Sequence, residues 1–160
     1  MKDIITYPNE LLRTKSTPVQ IPLSKEDKEI LNDMYEYLKE HADEAVGLAA
    51  VQLGEPKKMC AIRYKDSSGK LHAYKLINPV IVKRSHAESV LEEGCLSEPE
   101  LGSVKVKRHT SIMVLAYNAM TNKHETMTFT GFEARVVQHE IDHMNGKLLI
   151  DYQRKEKENA

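Results

Sequence analysis

Cysteine is scarce in this sequence: Cys60 and Cys95 are the only two, and they form no Cys-x-x-Cys pair. That scarcity excludes a disulfide framework and a four-cysteine zinc site. Charge of one sign is lacking as well. A formal net charge of −1 at pH 7 offers no general attraction to nucleic acid or anionic lipid, so neither is an expected partner. The longest apolar run, interrupted by Gly47, falls far short of a bilayer span, so no membrane segment is expected. The opening Met1-Lys2-Asp3-Ile4-Ile5-Thr6-Tyr7-Pro8 breaks off before the apolar core of a signal peptide, which makes the cytoplasm the expected compartment.

What is present is an ordinary globular composition, 41% apolar and 29% charged. A single domain of 160 residues would bury roughly 70% of its unfolded surface, enough for a core without covalent staples. One domain is expected over residues 1–150, with 151–160 too polar to pack and expected to fray. Ser24, then Glu26 and Asp27, open a helical pattern through Ile30, Leu31, Met34, Tyr35 and Leu38, which predicts a helix over about residues 25–41. Short apolar or alternating runs then predict strands at Met59–Tyr64, Leu71–Ile77, Val80–Lys83, Val104–Val106, Ile112–Tyr117 and Glu125–Thr130. Asp66-Ser67-Ser68-Gly69, Asn78-Pro79 and Thr121-Asn122-Lys123 supply the turns between them. Gly131 and Gly146 bound a last helix of about 13 residues, striped by Val137, Ile141 and Met144. The expected class is α+β: antiparallel sheets wrapped around a C-terminal helix, with an N-terminal helix.

That last helix carries Gln138-His139-Glu140-Ile141-Asp142-His143. Four residues of helix separate the two histidines by roughly 40° of rotation, so both can grip one metal ion, with Glu140 one step around. Histidine pair plus glutamate points to metal-assisted hydrolysis and makes this a candidate metal-binding helix. Such a site needs a third ligand. Cys95, in Glu92-Glu93-Gly94-Cys95-Leu96-Ser97, offers a thiolate beside a glycine, yet a carboxylate would serve equally well on composition alone. Cys60 lies in an apolar strand-like stretch and reads as buried packing.

Three segments in order, Gly47-Leu48-Ala49-Ala50-Val51-Gln52, Glu93-Gly94-Cys95-Leu96-Ser97 and Gln138–His143, resemble the motifs of peptide deformylase. The resemblance implies that Cys95, His139 and His143 bind one divalent ion, iron(II), while the ligand types alone equally suit zinc, nickel or cobalt. It implies Glu140 as the acid/base, and Gln52 with the backbone amide of Leu96 as oxyanion donors. Val46, Gly47, Gly94 and Val136 become the candidate substrate-binding residues. The implied substrates are N-formylmethionyl peptides and nascent chains, with ribosome association as a further expectation. Three positions depart from the pattern: Ala45 stands where the first motif usually has glycine, Val51 precedes the glutamine, and Glu98 follows the serine. Glu98 is expected to alter substrate preference if it faces the channel. A zinc protease and a non-catalytic or altered-specificity deformylase-like metal-binding protein are the competing readings.

Overall fold

The computed structural model describes residues 3–158. Helix α1 spans Lys25–Glu40. The Ser24 hydroxyl accepts the Asp27 N–H at 3.1 Å, and Glu26 and Asp27 set negative charge at the positive end of the helix. Its stripe of Ile30, Leu31, Met34 and Leu38 is buried against Leu48, Met59, Ala61 and Ile77 of a sheet. Each such side chain taken from water is worth about 1.5–3 kcal/mol, more than helix propensity alone supplies.

That sheet contains β1 (Gly47–Ala49), β2 (Met59–Lys65), β3 (Leu71–Arg84), β6 (Ser111–Asn118) and β7 (Lys123–Thr130), in the order β1-β2-β3-β6-β7. A smaller sheet pairs β4 (Glu88–Glu93) with β5 (Val104–His109). Every strand pairing in both sheets is antiparallel. The β2–β3 turn works as its residues predict: Asp66 Oδ1 accepts the N–H groups of Ser68 and Lys70 at 2.9 and 3.0 Å, and Gly69 takes φ 84°.

Asn78-Pro79 does not separate two strands as expected. It is a bulge inside the single strand β3, where the register with β6 shifts between Ile77 and Val80. Asn78 adopts φ 53°, and its side-chain amide accepts from Val19 N and donates to Val19 O, both at 2.8 Å. The side chain thus ties the bulge to the segment before α1. Strands β1 and β4 were not expected at all.

Helix α2 (Gly131–Met144) packs on the opposite face of the large sheet, its Ala134, Val136, Val137 and Met144 joining Ile62, Leu76, Val114 and Phe129 in one core cluster. Its polar side reaches the small sheet, where Gln138 Nε2 donates to His109 O at 2.9 Å and its Oε1 accepts the His109 N–H at 3.1 Å. The frayed tail expected from residue 151 is corrected. Helix α3 covers Leu149–Glu158; Leu149 is buried with Val104 and Val106 of β5, and Tyr152 packs against them. Among the described residues, no helix is long and apolar enough to cross a membrane.

Candidate active site and metal centre

The end of β4 and the middle of α2 converge. Cys95 follows Glu93 and Gly94 out of β4 and meets His139 and His143, which one helical turn brings to the same side of α2. One ligand atom from each of the three lies within 4.8 Å of the others. Cys95 Sγ is 3.4 Å from His143 Nε2, and the imidazole centroids are 5.0 Å apart. Burial lowers the His139 pKa, but hydrogen bonding to Cys95 and Glu93 outweighs it and raises the value well above the usual range. Burial holds His143 well below that range, with the neighbouring His139 charge adding to the effect. His143 Nδ1 is buried without a hydrogen-bond partner among the described residues. One sulfur and two imidazole nitrogens converging within 4.8 Å are a donor set that suits a divalent transition metal. The donor set therefore fits such an ion.

Behind the histidines lies a carboxylate–guanidinium network. Glu93 Oε1 meets His139 Nδ1 at 2.9 Å, which fixes the ring and leaves its other nitrogen for the site. Arg108 grips Glu93 with two donors at 2.8 Å and reaches Asp142 at 2.7 Å; Arg135 adds a bond to Glu93 at 2.6 Å. Burial alone would raise the Glu93 pKa, yet the bonds from Arg108 and His139 bring it down to about 2. Glu93 and the Arg108–Asp142 pair thus buttress His139 from behind. Arg135 was missed: on an isolated helix it reads as a solvated charge, and only the fold shows it 8% exposed.

Glu140 is 4% exposed and burial pushes its pKa up to about 7. Its Oε1 is buried with no partner among the described residues. The other oxygen packs on Gly47, where a Cβ would lie only 2.6 Å away, so only glycine allows β1 this close to the carboxylate. A cleft of about 570 Å³ opens beside it, lined among others by Val46, Gly47, Gln52, Gly94, Leu96 and Val136. Leu91 of β4 also lines it, a residue that no sequence signal separated from its charged neighbours. At Gly94 a Cβ would meet no atom within 4 Å, so no protein neighbour demands glycine there.

Gln52 is the third residue of the 3₁₀ turn Ala50–Leu53 and is 2% exposed. Its Oε1 accepts the Ala49 N–H at 3.0 Å, and its Nε2 lies 3.0 Å from Ser97 Oγ and 3.8 Å from Cys95 Sγ. The Leu96 N–H makes no backbone hydrogen bond among the described residues. The departures from the motif pattern also find places. Val51 is fully buried in the core cluster of α2, and Ala45 lines the cleft. Glu98, by contrast, does not face the channel. It is 4% exposed and accepts the N–H groups of Leu149 and Ile150 at 2.8 and 3.0 Å, capping α3.

A histidine–glutamate helix, a converging cysteine and an open cleft define, as a class, metal-dependent hydrolases. The chain belongs to the polypeptide deformylase family, which it matches over residues 1–159. It is 40% identical to a peptide deformylase of Staphylococcus epidermidis, over 95% of this chain and 90% of that one. The crystal structure of peptide deformylase from Ehrlichia chaffeensis is similar with a TM-score of 0.86 at 30% identity, covering 99% of this chain and 91% of the other. A class I type b peptide deformylase from Acinetobacter baumannii, in a crystal structure with Met-Ala-Ser bound, gives 0.83 at 26% identity, covering 95% and 98%.

Proposed function

We propose that Cys95, His139 and His143 hold one divalent ion, iron(II), in the N-formyl hydrolysis that this family performs on newly made peptides. The chain is an enzyme of that family, a hydrolase in protein biosynthesis that removes the N-formyl group. The net reaction converts a formyl amide and water into formate and a free amino terminus. When bound, the ion supplies Lewis acidity, which makes water nucleophilic near neutral pH.

Glu140 takes a proton from the attacking water and delivers it to the leaving nitrogen. Its unpartnered Oε1 at the cleft supports that role, which is typically worth about 10²- to 10⁴-fold in rate. The Gln52 side-chain amide and the Leu96 N–H receive the charge that grows on the formyl oxygen, which they stabilise more in the transition state than in the substrate. Val46, Leu96 and Val136 supply apolar wall for a methionine side chain, and Gly47 and Gly94 let backbone approach the peptide. The Met-Ala-Ser ligand of the Acinetobacter protein supports a peptide beginning with methionine as the occupant. Iron rests on the family resemblance, and the cytoplasm, on the ribosome's nascent chains, is the place of action.

The observation that carries this reading is the convergence of three metal donors within 4.8 Å beside the buried Glu140. Anaerobically purified protein should release formate from a formyl-methionyl peptide and contain iron by elemental analysis. Glu140→Ala should cut that release by about 10²-fold or more while metal stays bound. Undiminished turnover in this variant would reject Glu140 as the proton carrier.

A further inference from the structure

Gln52 has two side-chain N–H groups, and only one of them can face a substrate if the other is already committed. The Ala49 N–H at 3.0 Å can be satisfied only by the amide oxygen, which fixes the O/N assignment of this side chain. Nε2 must then face Ser97, whose hydroxyl oxygen accepts one N–H at 3.0 Å. The second N–H makes only a long, weak bond to Cys95 Sγ, 3.8 Å from Nε2 and beside the cleft, and is the one that a substrate oxygen can take over. Ser97 is 0% exposed, so its hydroxyl is placed by packing rather than by water.

The backbones of the same two residues are tied by a third segment. Ile5 N donates to Gln52 O at 2.8 Å, and Tyr7 N donates to Ser97 O at 2.7 Å. Two residues apart on one N-terminal segment, these donors set the spacing between the turn that carries Gln52 and the loop that carries Cys95. Side chains and main chains of Gln52 and Ser97 are thereby linked twice, once directly and once through residues 5–7.

We propose that the buried Ser97 hydroxyl, backed by the strap at Ile5 and Tyr7, is a positioning residue: it fixes the Gln52 amide so that one N–H points at the reacting formyl oxygen. The proposal rests on the oxyanion role given to Gln52 above. A donor free to rotate must be ordered during the reaction, whereas one held in advance needs no reorganisation. Ser97 itself touches no reacting atom.

The test is a cycle of Gln52→Leu, Ser97→Ala and the double variant in the metal-loaded enzyme, with kcat, KM, bound metal and melting temperature measured for each. Gln52→Leu should lose about 100-fold in kcat, and an unaffected rate would overturn the oxyanion reading and this inference with it. With Gln52→Leu slow, Ser97→Ala should lose about 10-fold in kcat at nearly constant KM and full metal content. In the Gln52→Leu background the same change should cost less than about twofold, because no donor remains to be aimed. A full 10-fold loss there, or none in the wild-type background, would overturn the inference alone. Side-chain amide NMR of the zinc-loaded protein gives a readout independent of turnover: the two Gln52 N–H signals should be well separated, and Ser97→Ala should bring them together. Unchanged signals would refute the positioning role even if the variant were slow.

Discussion

At the level of single residues, Gly47 and Glu140 constrain each other. An added methyl at Gly47 would meet Glu140 Oε2 at 2.6 Å and Val136 Cγ1 at 3.0 Å, both on buried residues. Gly47→Ala should therefore displace the carboxylate. We expect at least a 10-fold loss of formate release, in line with the sensitivity of catalysis to misplacements of about 1 Å, and about 1–3 kcal/mol of overpacking. Bound metal should be unchanged, since the nearest atoms to the added methyl belong to Glu140 and Val136. Wild-type turnover in Gly47→Ala would show that the carboxylate has freedom the packing denies it. Glu93 illustrates a different economy: one carboxylate serves Arg108, Arg135 and His139 together, so the ring that faces the proposed metal site is aimed by a salt-bridge network as well as by its own helix.

Among the elements, α3 depends on a residue far from it in sequence. Glu98 accepts the first two N–H groups of that helix while Leu149 and Tyr152 pack on β5. Glu98→Ala should cost about 1–2 kcal/mol of capping and dipole energy, which lowers the melting temperature by roughly 2–8 °C. kcat and KM should stay near wild type, because the side chain turns away from the cleft. A raised or lowered KM with no thermal effect would contradict this placement. The same element shows where sequence reading stops. Helix α1 was legible to within a residue because its cap, its acidic first turn and its stripe are all local. Helix α2 was legible because its bounding glycines and apolar stripe are local too. Strand β4 was not, since Glu88-Ser89-Val90-Leu91-Glu92-Glu93 shows no clean alternation and is ordered by its pairing with β5. Nor were the partners of Ser97, Glu98 and Arg135, whose contacts lie 45, 51 and 42 residues away along the chain.

Over the whole molecule, the N-terminal segment acts as a tie between parts that lie far apart along the chain. It bonds Gln52 and Ser97 through Ile5 and Tyr7, meets Met144 O through the Ser16 N–H at 2.8 Å, and ends in a bridge between Thr17 and Lys57. Arg13 extends the tie to α3, with two donors on Asp151 at 2.6 and 2.9 Å and one on Gly146 O at 3.1 Å. Gly146, at φ 72°, has no room for a side chain, because a Cβ there would sit 2.5 Å from Arg13 O. The Arg13–Asp151 pair is partly exposed, 39% and 29%, so its contribution should be about 1 kcal/mol or less. Burial would raise the Asp151 pKa, but the hydrogen bond from Arg13 outweighs it and the value is lowered. A depressed carboxylate stabilises the fold above its unfolded pKa of about 3.9, and that contribution is lost as pH falls through the lower folded value. Arg13→Ala should therefore melt up to about 4 °C below wild type at pH 7, and the gap should shrink as both are titrated from pH 4 downward. A gap that stays constant into acid would assign the loss to the arginine's bond with Gly146 O and its packing. The charge pair would then have no part in joining the first segment of the chain to the last helix.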